Sequence, residues 1–129
     1  MPKNDEGART IMIVDDSEDI REILRTILNL CGFNVVEAIN GQEAVEIAKR
    51  ECPDLILMDL MMPVLDGYAA TQQIREATET CNVPIVACSA CATLDHRAKA
   101  LAVGCNEYIA KPIDFIHLNK LLTRFLMAA

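Results

Sequence analysis

The 129-residue sequence predicts a single doubly wound α/β domain, (βα)5, with five parallel strands and helices on both faces of the sheet. Three observations predict it. Short apolar runs alternate with amphipathic stretches five times. The connections between them are short and leave no room for a second domain. Apolar residues make up 52% of the chain, which supports a real core without disulfide or metal staples and excludes a disordered chain.

Each element follows from its residues. Thr10–Val14 is an apolar run ending at Asp15, the first strand. Ile20, Ile23, Leu24, Ile27, Leu28 and Cys31 then recur at helical spacing, and Gly32 closes that helix. Phe33–Ala38 reads as the second strand. Asn40, with Glu43 three residues on, resembles a capping box opening a helix to about Arg50, with Ala44, Val45 and Ala48 on its apolar face. Pro53-Asp54 breaks the chain before Leu55–Met58, an unbroken apolar run suited to a strand buried on both faces. A loop holding Pro63 and the turn pair Asp66-Gly67 leads to a helix from Gly67 to Ala77. Val83–Cys88 is the fourth strand. Leu94, Ala98 and Leu101 mark a short helix stopped by Gly104. Cys105–Ala110 is the fifth strand. The last helix runs from Ile113 to Met127, with Leu118, Leu121, Leu122 and Phe125 on one face. Residues 1–9 read as a flexible tail, and 10–127 as the domain.

Composition narrows the function. Twelve Lys and Arg face nineteen Asp and Glu, a net charge of −7. That balance argues against a general nucleic-acid binder and against docking on anionic lipid. Aromatics are 4% and Trp is absent, so Ile, Leu, Val, Ala and Met build the core. No apolar run is long enough for a membrane span, and the polar stretch Met1 to Arg9 lacks a signal core, so the expected location is the cytoplasm. The six cysteines, Cys31, Cys52, Cys81, Cys88, Cys91 and Cys105, then read as reduced, buried core residues. Cys88 and Cys91 form a CxxC pair. It lies late in the chain, not at the helix start after the first strand where a thioredoxin-like motif belongs.

In a doubly wound sheet, ligands gather at the carboxyl ends of the strands. The first strand delivers Asp15 and Asp16 there, the third Asp59, the fourth Ser89, and the fifth Lys111 followed by Pro112. Three converging carboxylates repel unless a cation joins them. Magnesium suits one or two carboxylates plus waters and a phosphate oxygen, and Asp15, Asp16 and Asp59 are its candidate ligands, with manganese an alternative. A carboxylate beside such an ion can take a phosphoryl group, while Lys111 neutralises the equatorial oxygens and Ser89 hydrogen-bonds the phosphate. Taken singly, each residue has a plainer reading. Asp15-Asp16 suits a helix start, Ser89 a loop, Tyr108 a half-buried strand, and His96 and His117 a solvated helix face.

The set resembles the receiver domain of response regulators, the CheY-like family of two-component signalling. The text that carries it is VDDSEDIRE at the first strand end, DLILMDLMMPVLDGYAA around Asp59, IVACSA at Ser89 and YIAKPID at Lys111. The resemblance covers residues 9–127. It implies a flavodoxin-like sheet of order 2-1-3-4-5. It implies that Asp59 is the phosphoacceptor, and that Asp15, Asp16, Asp59 and the backbone carbonyl of Met61 hold magnesium. Lys111 pairs with the phosphoryl group, with a cis bond to Pro112. Ser89 is the switch hydroxyl, Tyr108 the switch aromatic that turns inward on activation, and Ala90 leaves the acyl phosphate accessible. Met61 and Cys91, both poor at positioning water, imply slow self-dephosphorylation.

The resemblance also implies partners. A sensor histidine kinase or histidine phosphotransfer protein donates the phosphoryl group. A downstream protein reads the face made by the fourth helix, fifth strand and fifth helix, and the chain is a monomer or weak dimer. GYAATQQIRE resembles receivers of hybrid kinases. The chain is then a signalling phosphoacceptor that catalyses only its own phosphorylation and dephosphorylation. Competing classes are a receiver-like scaffold that is never phosphorylated, a flavodoxin-like cofactor binder, and an aspartyl phosphatase. The cofactor binder needs a Ser/Thr/Gly-rich loop where Asp15–Asp19 stands, and the phosphatase a second Asp where Met61 stands.

Overall fold

The computed structural model describes residues 8–62, 64–78, 80, 82–90 and 93–127. Its strands are β1 (Thr10–Val14), β2 (Asn34–Ala38), β3 (Leu55–Asp59), β4 (Ile85–Ser89) and β5 (Glu107–Ala110). Between and after them run α1 (Glu18–Leu30), α2 (Gly41–Glu51), α3 (Gly67–Glu76), α4 (Leu94–Val103) and α5 (Phe115–Leu122), and a π-helical turn over Thr123–Met127 extends the last helix. All strand pairs are parallel and the order is β2-β1-β3-β4-β5, as the resemblance implies. The chain order reverses between β1 and β3, which places a crevice at their carboxyl ends.

Every residue of β1, β3 and β4 is buried, because helices cover both faces. Alternate side chains divide the core in two. Met12, Val14, Ile56 and Met58 pack with Ala44 and Ala48 of α2 and Ile74 of α3. Ile11, Ile13, Leu55 and Leu57 pack with Leu24 and Leu28 of α1 and Leu118 and Leu121 of α5. Side-chain caps start all five helices, from Ser17, Asn40, Asp66, Thr93 and Asp114. The predicted capping box is present with an offset: Glu43 N–H donates to Asn40 Oδ1 at 2.8 Å, while the Glu43 carboxylate accepts from Ile39, one residue before the cap.

Several boundaries move for identifiable reasons. β2 begins at Asn34 rather than Phe33, whose N–H is spent on Leu28 O beyond the end of α1. β4 starts at Ile85 because Pro84 has no N–H for the ladder. β5 starts at Glu107 because the Cys105 N–H is spent on Ala100 O at the end of α4. Asp66 is the N-cap of α3 rather than only a turn residue. Asp114 caps α5, so that helix begins at Phe115 and not Ile113.

Cys88 and Cys105 are buried as expected, but Cys31 and Cys52 are exposed. Both stand at helix C-caps, where the chain turns outward. Cys81, Cys91, Pro63 and residues 1–7 of the expected tail lie outside the described residues. The expected apolar marks of α4 also point outward: Leu94 is 84% and Leu101 46% exposed, and Ala100 is the helix's one buried residue. Among the described residues, no helix is long and apolar enough to cross a membrane.

Candidate functional site

Four strands end in reactive groups on one edge. Asp15 follows β1 and is buried, and Asp16 beside it is exposed. Asp59 is the last residue of β3 and Ser89 the last of β4, both buried. Lys111 follows β5, and its N–H donates to Ser89 O at 2.8 Å, extending the ladder by one residue. Register brings the groups together, since Asp59 pairs with Cys88 and Ser89 with Ala110.

The Asp15, Asp16 and Asp59 carboxylates each offer an oxygen within 4.8 Å of the others. Lys111 Nζ reaches into this group, 2.8 Å from Asp15 Oδ2 and 3.4 Å from Asp59 Oδ2. The other Asp15 oxygen accepts the Ser17 N–H at 2.9 Å, and Asp59 Oδ1 accepts the Met61 N–H at 3.1 Å. Burial raises the Asp59 carboxyl above its ordinary range, and the nearby Asp15 charge adds to that. The Met61 N–H and the Lys111 ammonium only partly offset it. Burial lowers Lys111, but the bond to Asp15 and the charges of Asp59 and Asp15 outweigh it, so the ammonium is held above its usual range.

One ammonium does not balance three carboxylates. A hard divalent cation fits the donor set, because the three carboxylate oxygens are hard ligands and lie within reach of a single ion. Met61, whose carbonyl the resemblance adds to the ligands, is exposed on the same edge.

The remaining predicted residues fall around this centre. The Lys111-Pro112 peptide is cis, as expected. Ala90 is exposed. Tyr108 in β5 is buried, with its ring already inside the core. His117 is exposed on α5, and His96 is half-buried in the first turn of α4, where its N–H donates to Thr93 Oγ1; neither belongs to the acidic group. Beside Lys111 opens a groove of about 530 Å3, lined by apolar residues that include Ile20, Ile23, Ala90, Ile113 and Phe115.

Two features escape sequence reasoning. A Cβ on Gly67 would lie 2.3 Å from Asp59 O, so the start of α3 rests directly on the backbone of Asp59. The Asp66-Gly67 pair signals a turn but not this approach. The second is Arg21, which sits among apolar positions of α1 yet is buried and donates to the Asp15 carbonyl at 2.8 Å.

Comparison with known proteins agrees with this geometry. Residues 11–123 match the response regulator receiver domain. The chain is 42% identical over 104 residues to "Probable transcriptional regulator ycf27" of Porphyridium aerugineum; that match takes in 81% of this chain but only 42% of the relative's length. It superposes with a TM-score of 0.87 on the receiver domain of the sensor histidine kinase PA1611 from Pseudomonas aeruginosa, solved with magnesium coordinated in its active-site cleft. The two are 36% identical, over 94% of this chain and 99% of that one. The receiver domain of Saccharomyces cerevisiae Ssk1, crystallised with the phosphotransfer protein Ypd1, is 35% identical with a TM-score of 0.85, over 93% of this chain and 90% of the other. On its sequence match, its strand order and its acidic edge, this chain belongs to the response regulator receiver domain family of two-component signalling.

Proposed function

We propose that the chain is the phosphoacceptor of a two-component phosphorelay, with Asp59 as the acceptor. The observation that carries this is one buried carboxylate, on the edge of a parallel sheet, facing two further acids and a lysine within hydrogen-bond range of both Asp15 and Asp59. An Asp59 carboxylate oxygen attacks the phosphorus of a donor phosphohistidine. The new P–O bond forms as the P–N bond breaks, and its electron pair returns to the imidazole nitrogen. Lys111 neutralises the equatorial oxygens, and Ser89 donates its hydroxyl to one of them.

Asp15, Asp16, Asp59 and the Met61 carbonyl would hold magnesium or manganese, which screens the repulsion between acceptor and phosphoryl oxygens. The magnesium in the receiver of PA1611 supports that reading. The donor is a histidine kinase or a phosphotransfer protein, and the pairing of Ssk1 with Ypd1 supports this class. The apolar groove beside Lys111 gives such a donor a surface next to the acceptor. Signal leaves through protein contacts on the α4, β5 and α5 face as Ser89 and Tyr108 adjust. The protein acts on no substrate besides its own acyl phosphate, which the apolar Met61 leaves slow to hydrolyse.

Incubation with acetyl phosphate and magnesium, followed by intact mass, tests the proposal. Wild type gains one phosphoryl group and Asp59→Asn gains none. An adduct on Asp59→Asn refutes Asp59 as the acceptor. No adduct on wild type refutes phosphorylation altogether and leaves a scaffold that is never phosphorylated.

A further inference from the structure

Arg21 in the first turn of α1 is 8% exposed, unusually low for a charged side chain. Its three guanidinium nitrogens go to three places. Nε donates to Glu37 Oε1 of β2 at 3.1 Å, and Nη2 donates to Glu18 in its own helix. Nη1 donates to the main-chain carbonyl of Asp15 at 2.8 Å, in a buried setting. Glu37 is itself anchored by Arg25, whose Nη1 lies 2.7 Å from Glu37 Oε2. Two carboxylates therefore face two guanidinium groups. The neutral acceptor in the set is the Asp15 carbonyl.

That carbonyl belongs to the planar peptide joining Asp15 to Asp16. Fixing its oxygen fixes the plane, and the plane sets where Asp16 leaves the chain. Asp15 is already held through Lys111 and the Ser17 N–H, whereas Asp16 is exposed. The direction of Asp16 therefore rests on the peptide before it. We infer that Arg21 is a positioning residue for the cation site: its guanidinium locks the Asp15-Asp16 peptide, and Glu37 of β2 locks the guanidinium. The inference rests on the reading of this edge as a magnesium site. A plain staple between α1 and β2 would make the same contact to Glu37 but would not touch metal affinity.

Calorimetric titration of the full chain with magnesium chloride separates the two. Arg21→Gln is expected to weaken magnesium binding about tenfold or more, as loss of groups that orient metal ligands does. Saturating magnesium then restores the wild-type limiting rate of labelling by acetyl phosphate, so the apparent magnesium constant rises while the limiting rate holds. Arg21→Lys, with an ammonium in place of the fork, falls between the two proteins. Thermal melting without metal reports stability separately. If folded Arg21→Gln and Arg21→Lys bind magnesium as wild type does, whatever their melting points, the inference is overturned. Should Arg21→Gln fail to fold, Glu37→Ala frees the guanidinium from its anchor and must still weaken binding severalfold; unchanged affinity there overturns the inference equally. Absence of magnesium binding in wild type overturns the metal reading, and the inference with it. Binding that is normal in wild type and variants alike overturns the role of Arg21 alone.

Discussion

The corner around Asp15 and the helix α4 are built to opposite specifications. At Asp15 every polar atom is engaged. Its N–H donates to Ala38 O at 3.1 Å, its carbonyl accepts from Arg21, and its two carboxylate oxygens take the Ser17 N–H and the Lys111 ammonium. Across the sheet edge, α4 buries Ala100 alone and leaves Leu94 and Leu101 largely in solvent. Its firm attachment is at the C-terminal end, where Arg75 donates to Gly104 O at 3.0 Å and to Asn106 Oδ1 at 2.8 Å. Groups that hold a reacting centre gain from being fixed in advance. An element that must answer that centre has to be drawn from the weakly held parts of a fold. Under the proposed function, the contrast assigns the chemistry to the first region and the response to the second.

Removing the ammonium that faces Asp15 and Asp59 breaks this contrast most strongly. Lys111→Met leaves Asp15 and Asp59 facing each other with no ammonium. It is expected to slow labelling by acetyl phosphate by about a hundredfold or more, the scale seen when one transition-state donor is lost. Without divalent ions it also costs about 2–3 kcal/mol in urea unfolding, since it strands buried charge. Magnesium should recover part of the stability and little of the rate. Equal losses with and without magnesium would mean that the lysine is a general strut and not a charge partner of the site.

Truncation of apolar side chains compares the two regions directly. Leu28→Ala on α1 empties a fully buried position and is expected to cost about 3 kcal/mol. Leu94→Ala and Leu101→Ala on α4 should each cost about 0.5 kcal/mol or less, because little contact is lost. A large cost at Leu101 would show α4 to be firmly seated. Burial raises the folded pKa of Asp59 above its unfolded value of 3.8, so the charged form is the disfavoured one in the native state. Stability drawn from that shift is present below the unfolded pKa and is lost as pH rises through the folded one. Asp59→Asn should therefore raise the melting temperature by a few degrees at neutral pH without divalent ions, and by nothing below about pH 3, where both carboxyl states are protonated. A variant less stable than wild type at neutral pH would place a net attraction at Asp59.

Much of this contrast was legible in the sequence. Strand ends betray themselves, because an apolar run that stops at an acid or a lysine names both the element and its edge, as at Asp15, Asp59 and Lys111. The packing of α4 was not legible. Leu94, Ala98 and Leu101 sit at helical spacing, but spacing cannot say whether a neighbour covers them, and here none does fully. Arg21 was hidden for the converse reason: a charged residue reads as solvated until its acceptors, drawn from the loop after β1, from β2 and from α1, are brought together by the fold. Gly67 needed three dimensions as well, since its role is set by the Asp59 backbone passing against it.

Two cysteines test the contrast without disturbing it. Cys88 lies in β4 with its thiol pushed up to about 12, first by burial, so it carries almost no thiolate at neutral pH. Cys105 follows α4, is also buried, and is raised by burial against a hydrogen-bonding contact with Thr71 and the nearby Arg75 charge. Neither reacts without an opening motion, whereas Cys31 and Cys52 on the surface do. Opening the central sheet requires global unfolding, whereas Cys105, packed with Ala100 of α4 and against Thr71 of α3, is expected to be reached when the weakly held α4 lifts. Among the four described cysteines, alkylation followed by peptide mass mapping should therefore find Cys31 and Cys52 modified first, Cys105 about tenfold or more ahead of Cys88, and the gap closing in denaturant. Equal slow rates at Cys105 and Cys88 would mean that α4 opens only with the whole domain. In that case its exposed leucines mark a surface and not a hinge, and any change on phosphorylation has to travel through rigid contacts from Ser89 along β5.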